Sequence, residues 1–500
     1  MVRKTGPVTV ALVLAAALFS ASYTTLAEAA STTVIVMQDQ AALRGAPRDS
    51  APVQATLWRG EALEVRAERA DYLQVWDHQR ERGGYVHRGL VHAIGTSPAD
   101  AAPLLSALRF IVDVPGAESL GLGLAAAYVQ AAPSAVLAGP DGATALEAMG
   151  RLAERLADRA SHGTAKQSTL SAHLDVATRY GLRFISREKH GRMQMCVDGE
   201  VFRRVLSLPA SPEQRARAAL ALTRPDCMEA QPGERERLDV WRADVLDRVD
   251  SSTVPAVWRN RLAMRRAAVW SSLAYAQARR GANTASDSTQ RALAEIATVD
   301  KSELADEDQG RYNDAAMRVN GVRWAYVSAS AASAVAAANA GPLAIEISTA
   351  PDGQTCVALT DKRLGEHSVA VRRCTWGVVW AASLNIRSDK RAVTLAVTPT
   401  DGWRELWLFQ RGAQDWAVQV LPPAAATPDV GYAEHAGWVP GGQQLLVARE
   451  AMAEGRYKRS FEVVSLASLN TERQAGDAKL LGAFQRWSDA AWRRDSLSQR

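Results

Sequence analysis

The hydrophobic repeat of this chain changes twice, and that limits the fold more than any other feature. Between residues 31 and 95 apolar and polar residues alternate in the short runs TVIVMQ, APVQATLW, ALEVRAE, DYLQVWD and GGYVHR. A period of two marks half-buried strands, and closely spaced ones with Gly and Pro turns suit a small β-barrel. From Ser97 to about Ala338 the period becomes 3.6. Leu146, Met149, Leu152 and Leu156 share a helical face. Ser211-Pro212-Glu213-Gln214 reads as an N-cap with Pro at N1 and Gln at N3, opening a helix through Leu222. Trp258, Leu262, Val269, Leu273 and Ala276 form another stripe, which Gly281 ends. Within this helical region RFISREKHGRMQMCV reads as a hairpin. VSASAASAVAAANAGP, from Val327, is a helix tail followed by a linker. Strands then return: LAIEIS, TCVALT, VAVRRC, AVTLAV, ELWLFQ, AVQVLP, QLLVARE and SFEVVSL.

Five hundred residues exceed one core, so several domains are expected. The fold class is multidomain α+β. Its parts are a signal peptide over 1–29, a barrel over 31–95, a helical domain with a short hairpin over 97–338 and an antiparallel β domain over 341–475. An amphipathic helix over 476–500 carries Phe484, Trp487 and Trp492.

The N-terminus reads as an export signal. Arg3 and Lys4 precede a largely apolar stretch, Val8 to Phe19, and Ala27-Glu28-Ala29 fits an A-x-A cleavage site. Twelve residues are too short to span about 30 Å of hydrocarbon, and no later stretch qualifies. The expected location is periplasmic or secreted, with no membrane span after signal removal. Cys196, Cys227, Cys356 and Cys374 form an even set, as oxidised compartments favour. Chain proximity favours Cys196 with Cys227 and Cys356 with Cys374. A hairpin centred on Gly365 sets the second pair directly opposite one another.

Residues Ala42 to Val91 resemble the bacterial SH3-like (SH3b) family. Leu43, Arg44 and Pro47 match its opening; Val53, Leu57 and Gly60, then Leu63 and Val65, fit the next positions. Tyr72 with Val75 takes the place of its aromatic-x-x-Val, and Gly84-Tyr85-Val86 fits its end. The resemblance covers about 50 of the 500 residues and implies binding of cell-wall peptide or of an envelope protein, without catalysis. By strand alternation Leu73 and Val75 face the core, while Tyr72, Gln74 and Trp76 face away. Trp58, Tyr72, Trp76 and Tyr85 are the candidate groove residues; the competing reading makes Tyr72 core and Trp76 an edge cover. The C-terminal strands resemble β-propeller blades in layout. Two or three blades do not close a ring, so a β-sandwich stands beside that reading.

No recognisable catalytic motif is present: no G-x-S-x-G, no H-E-x-x-H, no P-loop. The eight His show no helical ligand spacing, so neither a metal nor a cofactor is expected. Glu118-Ser119 before an Ala-rich helix resembles the acid of lytic transglycosylases. The downstream motif is missing, and a surface Glu in a first helical turn explains it better. The chain carries 51 Arg against 8 Lys; without a dominant cluster, that bias reads as base composition. A net charge of +5 gives no reason to expect a nucleic-acid partner. The expected function is non-enzymatic binding or scaffolding at the cell envelope, with a peptidoglycan-active enzyme sited in the helical region as the alternative.

Overall fold

The computed structural model describes residues 32–163, 166–189, 192–228, 233–326, 341–364, 369–425, 429–453 and 456–495. The signal segment, most of the 327–342 linker and the turn at Gly365 lie outside them. The chain divides into two compact units, one ending at Gly95 and the other beginning at Thr96.

The first unit is an antiparallel sheet of seven strands: β1 (Thr33–Val36), β2 (Ala41–Arg44), β3 (Val53–Leu57), β4 (Ala62–Arg69), β5 (Tyr72–Asp77), β6 (Arg82–His87) and β7 (Val91–Ile94). Their order is β3-β2-β6-β5-β4-β1-β7. Val34, Val36, Leu43, Leu57, Leu63, Leu73, Val75 and Val86 bury against one another. Each such side chain contributes about 1.5–3 kcal/mol. Gly84 is required at its position: a Cβ there would lie 2.6 Å from Leu43 Cγ. Its absence lets β6 pass over the core. At the sheet's margin Arg80 donates to Glu61 (2.9 and 3.0 Å) and to Asp77 (2.6 Å), both nearly buried.

The second unit begins with α1 (Ala101–Ile111), α2 (Glu118–Ala131), α3 (Ser134–Leu137), α4 (Pro140–His162) and α5 (Gln167–Arg179). A hairpin, β8 (Phe184–Lys189) and β9 (Arg192–Val197), leads to α6 (Glu200–Ser207), α7 (Pro212–Leu222) and α8 (Arg235–Asp247). Then come α9 (Ala256–Arg279), α10 (Ala285–Ala297) and α11 (Asp306–Val322). The expected capping box forms at α7: Gln214 N donates to Ser211 Oγ, and Ser211 N to Gln214 Oε1. The α4 stripe also forms, with Met149, Leu152 and Leu156 buried. Helix α9 is central, sharing one apolar cluster with α10 and α11 and another with α7 and α8. No helix among the described residues is long and apolar enough to cross a membrane.

The β region holds a three-stranded sheet, β10 (Leu343–Thr349), β11 (Thr355–Asp361) and β12 (Val369–Thr375). An eight-stranded sheet follows: β13 (Val378–Ile386), β14 (Ala392–Thr400), β15 (Trp403–Arg411), β16 (Trp416–Leu421), β17 (Gly431–Trp438), β18 (Gln444–Ala453), β19 (Arg456–Ser465) and β20 (Thr471–Ala475). One edge of β15 is shared between β16 and β17, and the β15–β17 pairing is parallel, so the sheet is mixed and not wholly antiparallel. The two sheets share one core, in which Leu343, Ile345, Val357 and Leu359 meet Val393, Leu395, Trp407 and Phe409.

Both disulfides pair as proximity suggested. Cys196–Cys227 joins β9 to the turn after α7, and Cys356–Cys374 links residues directly opposite on β11 and β12. They fit an oxidising, extracytoplasmic compartment.

The C-terminal helix is not continuous. Two short helices, α12 (Gly482–Trp487) and α13 (Ala490–Asp495), flank Ser488 and Asp489. The break lets Asp489 N donate to the Ala436 carbonyl and Trp492 Nε1 to the buried Glu434. Backbone pairing to β17 outcompetes helical continuity here.

Candidate functional site

Register fixes where the candidate groove residues stand. Tyr72 pairs with His87, Gln74 with Tyr85 and Trp76 with Gly83 across β5 and β6. Paired residues share a face, and Tyr85 is a diagonal neighbour of both Tyr72 and Trp76, a spacing of about 7–8 Å. Three of the four candidates therefore lie on the side away from Leu73 and Val75.

They are unequally available. Tyr72 is only 6 % exposed. Its hydroxyl donates to Asp49, and its ring meets His87 edge-on at 5.4 Å. The Asp49 hydrogen bond, with burial and the Asp49 charge, raises the Tyr72 pKa, so the phenol stays protonated. Trp76 and Tyr85 are half-buried, and Trp76 seats its ring over Gly83, where a Cβ would lie 3.5 Å from it. Trp58 follows β3, which β2 separates from β6, so it stands apart from Tyr85.

Glu118 does open the first turn of α2, as expected, but it is fully buried rather than on the surface. Arg155 Nε donates to it at 2.9 Å, Arg159 Nη1 to its other oxygen, and Gly116 N to Oε1 at 3.0 Å. Burial pushes its pKa up, yet these donors outweigh burial and hold it below the ordinary value. It is an anchor between α2 and α4.

No protein-family model, curated protein or solved structure matches the chain.

A wide concavity lies in the second unit. A cavity of about 760 Å³ opens among α4, α7, α9, α11 and the β18–β19 ribbon. Ten arginines and six acidic residues line it. The arginine excess read as base composition thus does cluster, once the chain has folded. A sequence signal existed. Arg151 and Arg155 on α4, and Arg261 and Arg265 on α9, are four apart; Arg311 and Arg318 on α11 are seven apart. Each spacing returns the side chain to one helical face. Sequence does not say that these faces converge.

Proposed function

We propose that the protein is exported and acts at the cell envelope, periplasmic or secreted, as a binding or scaffolding protein rather than an enzyme. The reading takes residues 31–95 as an SH3b-like module whose partner is a cell-wall peptide or a segment of an envelope protein. The observation that carries it is the aromatic strip on the outer face of β5 and β6. Trp76 and Tyr85 are diagonal neighbours there and only half-buried. Flat rings offer contact area at low entropic cost, and an extended peptide is their natural occupant. The two disulfides and the n-region, apolar stretch and A-x-A order of the N-terminus favour export. A general acid must hold a proton near neutral pH and reach its substrate. Glu118 meets neither need, which counts against the glycan-cleaving alternative.

The test is co-sedimentation of the exported protein with purified sacculi. Trp76→Ala should weaken pelleting about thirtyfold, the usual scale of an aromatic hot spot, with unchanged circular dichroism. Undiminished pelleting by a folded Trp76→Ala variant rejects the strip, and release of soluble glycan fragments rejects the non-enzymatic reading.

A further inference from the structure

Nine of the ten arginines of the large cavity form an ion pair with a described carboxylate, several of them, such as Glu118, Asp239 and Asp308, outside its lining. Arg242 Nη1 pairs with Asp239 (2.7 Å), while Arg311 Nη1 (2.6 Å) shares the one carboxylate of Asp308 with Arg261 Nε (2.8 Å). The Arg224 contacts are longer, 3.4 Å to Glu154 and 3.8 Å to Asp158. Burial raises the Glu154 pKa against the pull of Arg224, which weakens even that pairing. Arg265 stands out. Its Nη1 donates to the Leu220 carbonyl (3.2 Å) and Thr223 Oγ1 (3.4 Å), both neutral, and no described carboxylate forms an ion pair with it. Burial, then repulsion from Arg242, Arg224 and Arg311, pushes its pKa down to about 9, with Asp226 only partly opposing. A guanidinium held among others in a weakly solvated pocket is an unfavourable arrangement unless an anion completes it.

Two features show that the arrangement is held in place. Arg217 and Arg261 lie over the Trp258 ring, 4.8 and 4.9 Å from its centre. Trp258 Nε1 is itself fixed to Glu213 at 2.9 Å. The groups around Arg265 also come from separate segments: Arg224 after α7, Arg242 on α8 and Arg311 on α11. A carboxylate presents a planar pair of oxygens that one arginine fork satisfies. Donors arriving from several directions suit a tetrahedral oxyanion, whose oxygens accept all round. The volume suits a small molecule.

We propose that this cavity is a binding site for a small multiply charged phosphate compound, held by Arg265 with Arg224 and Arg311. The site is independent of the aromatic strip and of the function proposed for it. Titration calorimetry of the full chain with inorganic tripolyphosphate, at fixed ionic strength, is the direct test. Wild-type protein should bind, and Arg265→Gln should weaken binding roughly tenfold to a hundredfold, the effect of losing one charge-assisted contact. Arg311→Gln, on α11, should do likewise if Arg265→Gln fails to fold. Arg248→Gln removes an exposed charge just after α8, outside the cavity lining, and should change nothing. Absence of tripolyphosphate binding overturns the proposal, as do equal affinity for citrate, retention of affinity in both cavity variants, or an equal loss in Arg248→Gln.

Discussion

Arg80 in the first unit and Arg265 in the second are the same residue put to opposite uses. Arg80 is clamped by Glu61 and Asp77, and hydrogen bonding to Glu61 raises its pKa despite partial burial. Arg265 meets neutral acceptors and like charges, and its pKa falls. A buried guanidinium between carboxylates is an internal fastener. One surrounded by other guanidiniums contributes little to folding and stays available to an external anion. The environment, not the residue type, decides which.

The comparison breaks most sharply at Arg80. Arg80→Ala leaves two nearly buried carboxylates without their partner and should cost about 3–5 kcal/mol. Hydrogen exchange of the full chain should show lost protection at β4, β5 and β6, with α9 unaffected. If protection in β4–β6 survives, Arg80 is a surface ion pair of little consequence.

Asp361 shows that clamping is not peculiar to one unit. It is fully buried and accepts from Arg363 N (3.1 Å), Nε (2.7 Å) and Nη2 (2.9 Å), and from Trp416 Nε1 (3.0 Å). Burial opposes its ionisation, yet the Arg363 and Trp416 donors hold its pKa at about 2, below the ordinary 3.8. A folded-state pKa below the unfolded one stabilises above the unfolded value and loses that contribution as pH falls. The loss should run from near pH 4 down to about pH 2. Asp361→Asn should cost roughly 3 kcal/mol at neutral pH and flatten the acid slope of unfolding across that window. An unchanged slope would mean that other carboxylates govern acid unfolding.

Arg265→Gln is the smallest expected effect on stability and the one that sharpens the contrast. Relieving repulsion with Arg242, Arg224 and Arg311 should leave the melting temperature unchanged or raise it, within about 1 kcal/mol. A loss of several kcal/mol would make Arg265 a fastener like Arg80.

The parts legible in the sequence are those set by neighbours along the chain or across one hairpin. Alternation placed Leu73 and Val75 inside and Trp76 outside, because a strand's side chains must alternate. The Ser211–Gln214 cap formed because its donors and acceptors lie three residues apart. The Cys356–Cys374 bridge followed from strand register. β2, β7, β13, β17 and β20 were missed: β2 and β7 are only four residues long, β13 carries polar Ser383 and Asn385 late in its run, β17 begins with glycine and holds Glu434 and His435, and in β20 Ala475 is the single apolar residue.

What the sequence determined by itself was local: the change from strand to helix period and back, the helix start at Ser211 and the disulfide partners. Tertiary structure alone decided the rest. Glu118 became a buried anchor because α4 brings Arg155 and Arg159 to it. The last helix broke because β17 offered Asp489 a backbone partner. Arginines scattered from Arg151 to Arg318 became one cationic cavity because their helices face a common space. Local order depends on torsions and on contacts a few residues away, which a sequence displays directly. A charged cavity depends on which helical faces meet, and that is settled by packing over a hundred residues or more.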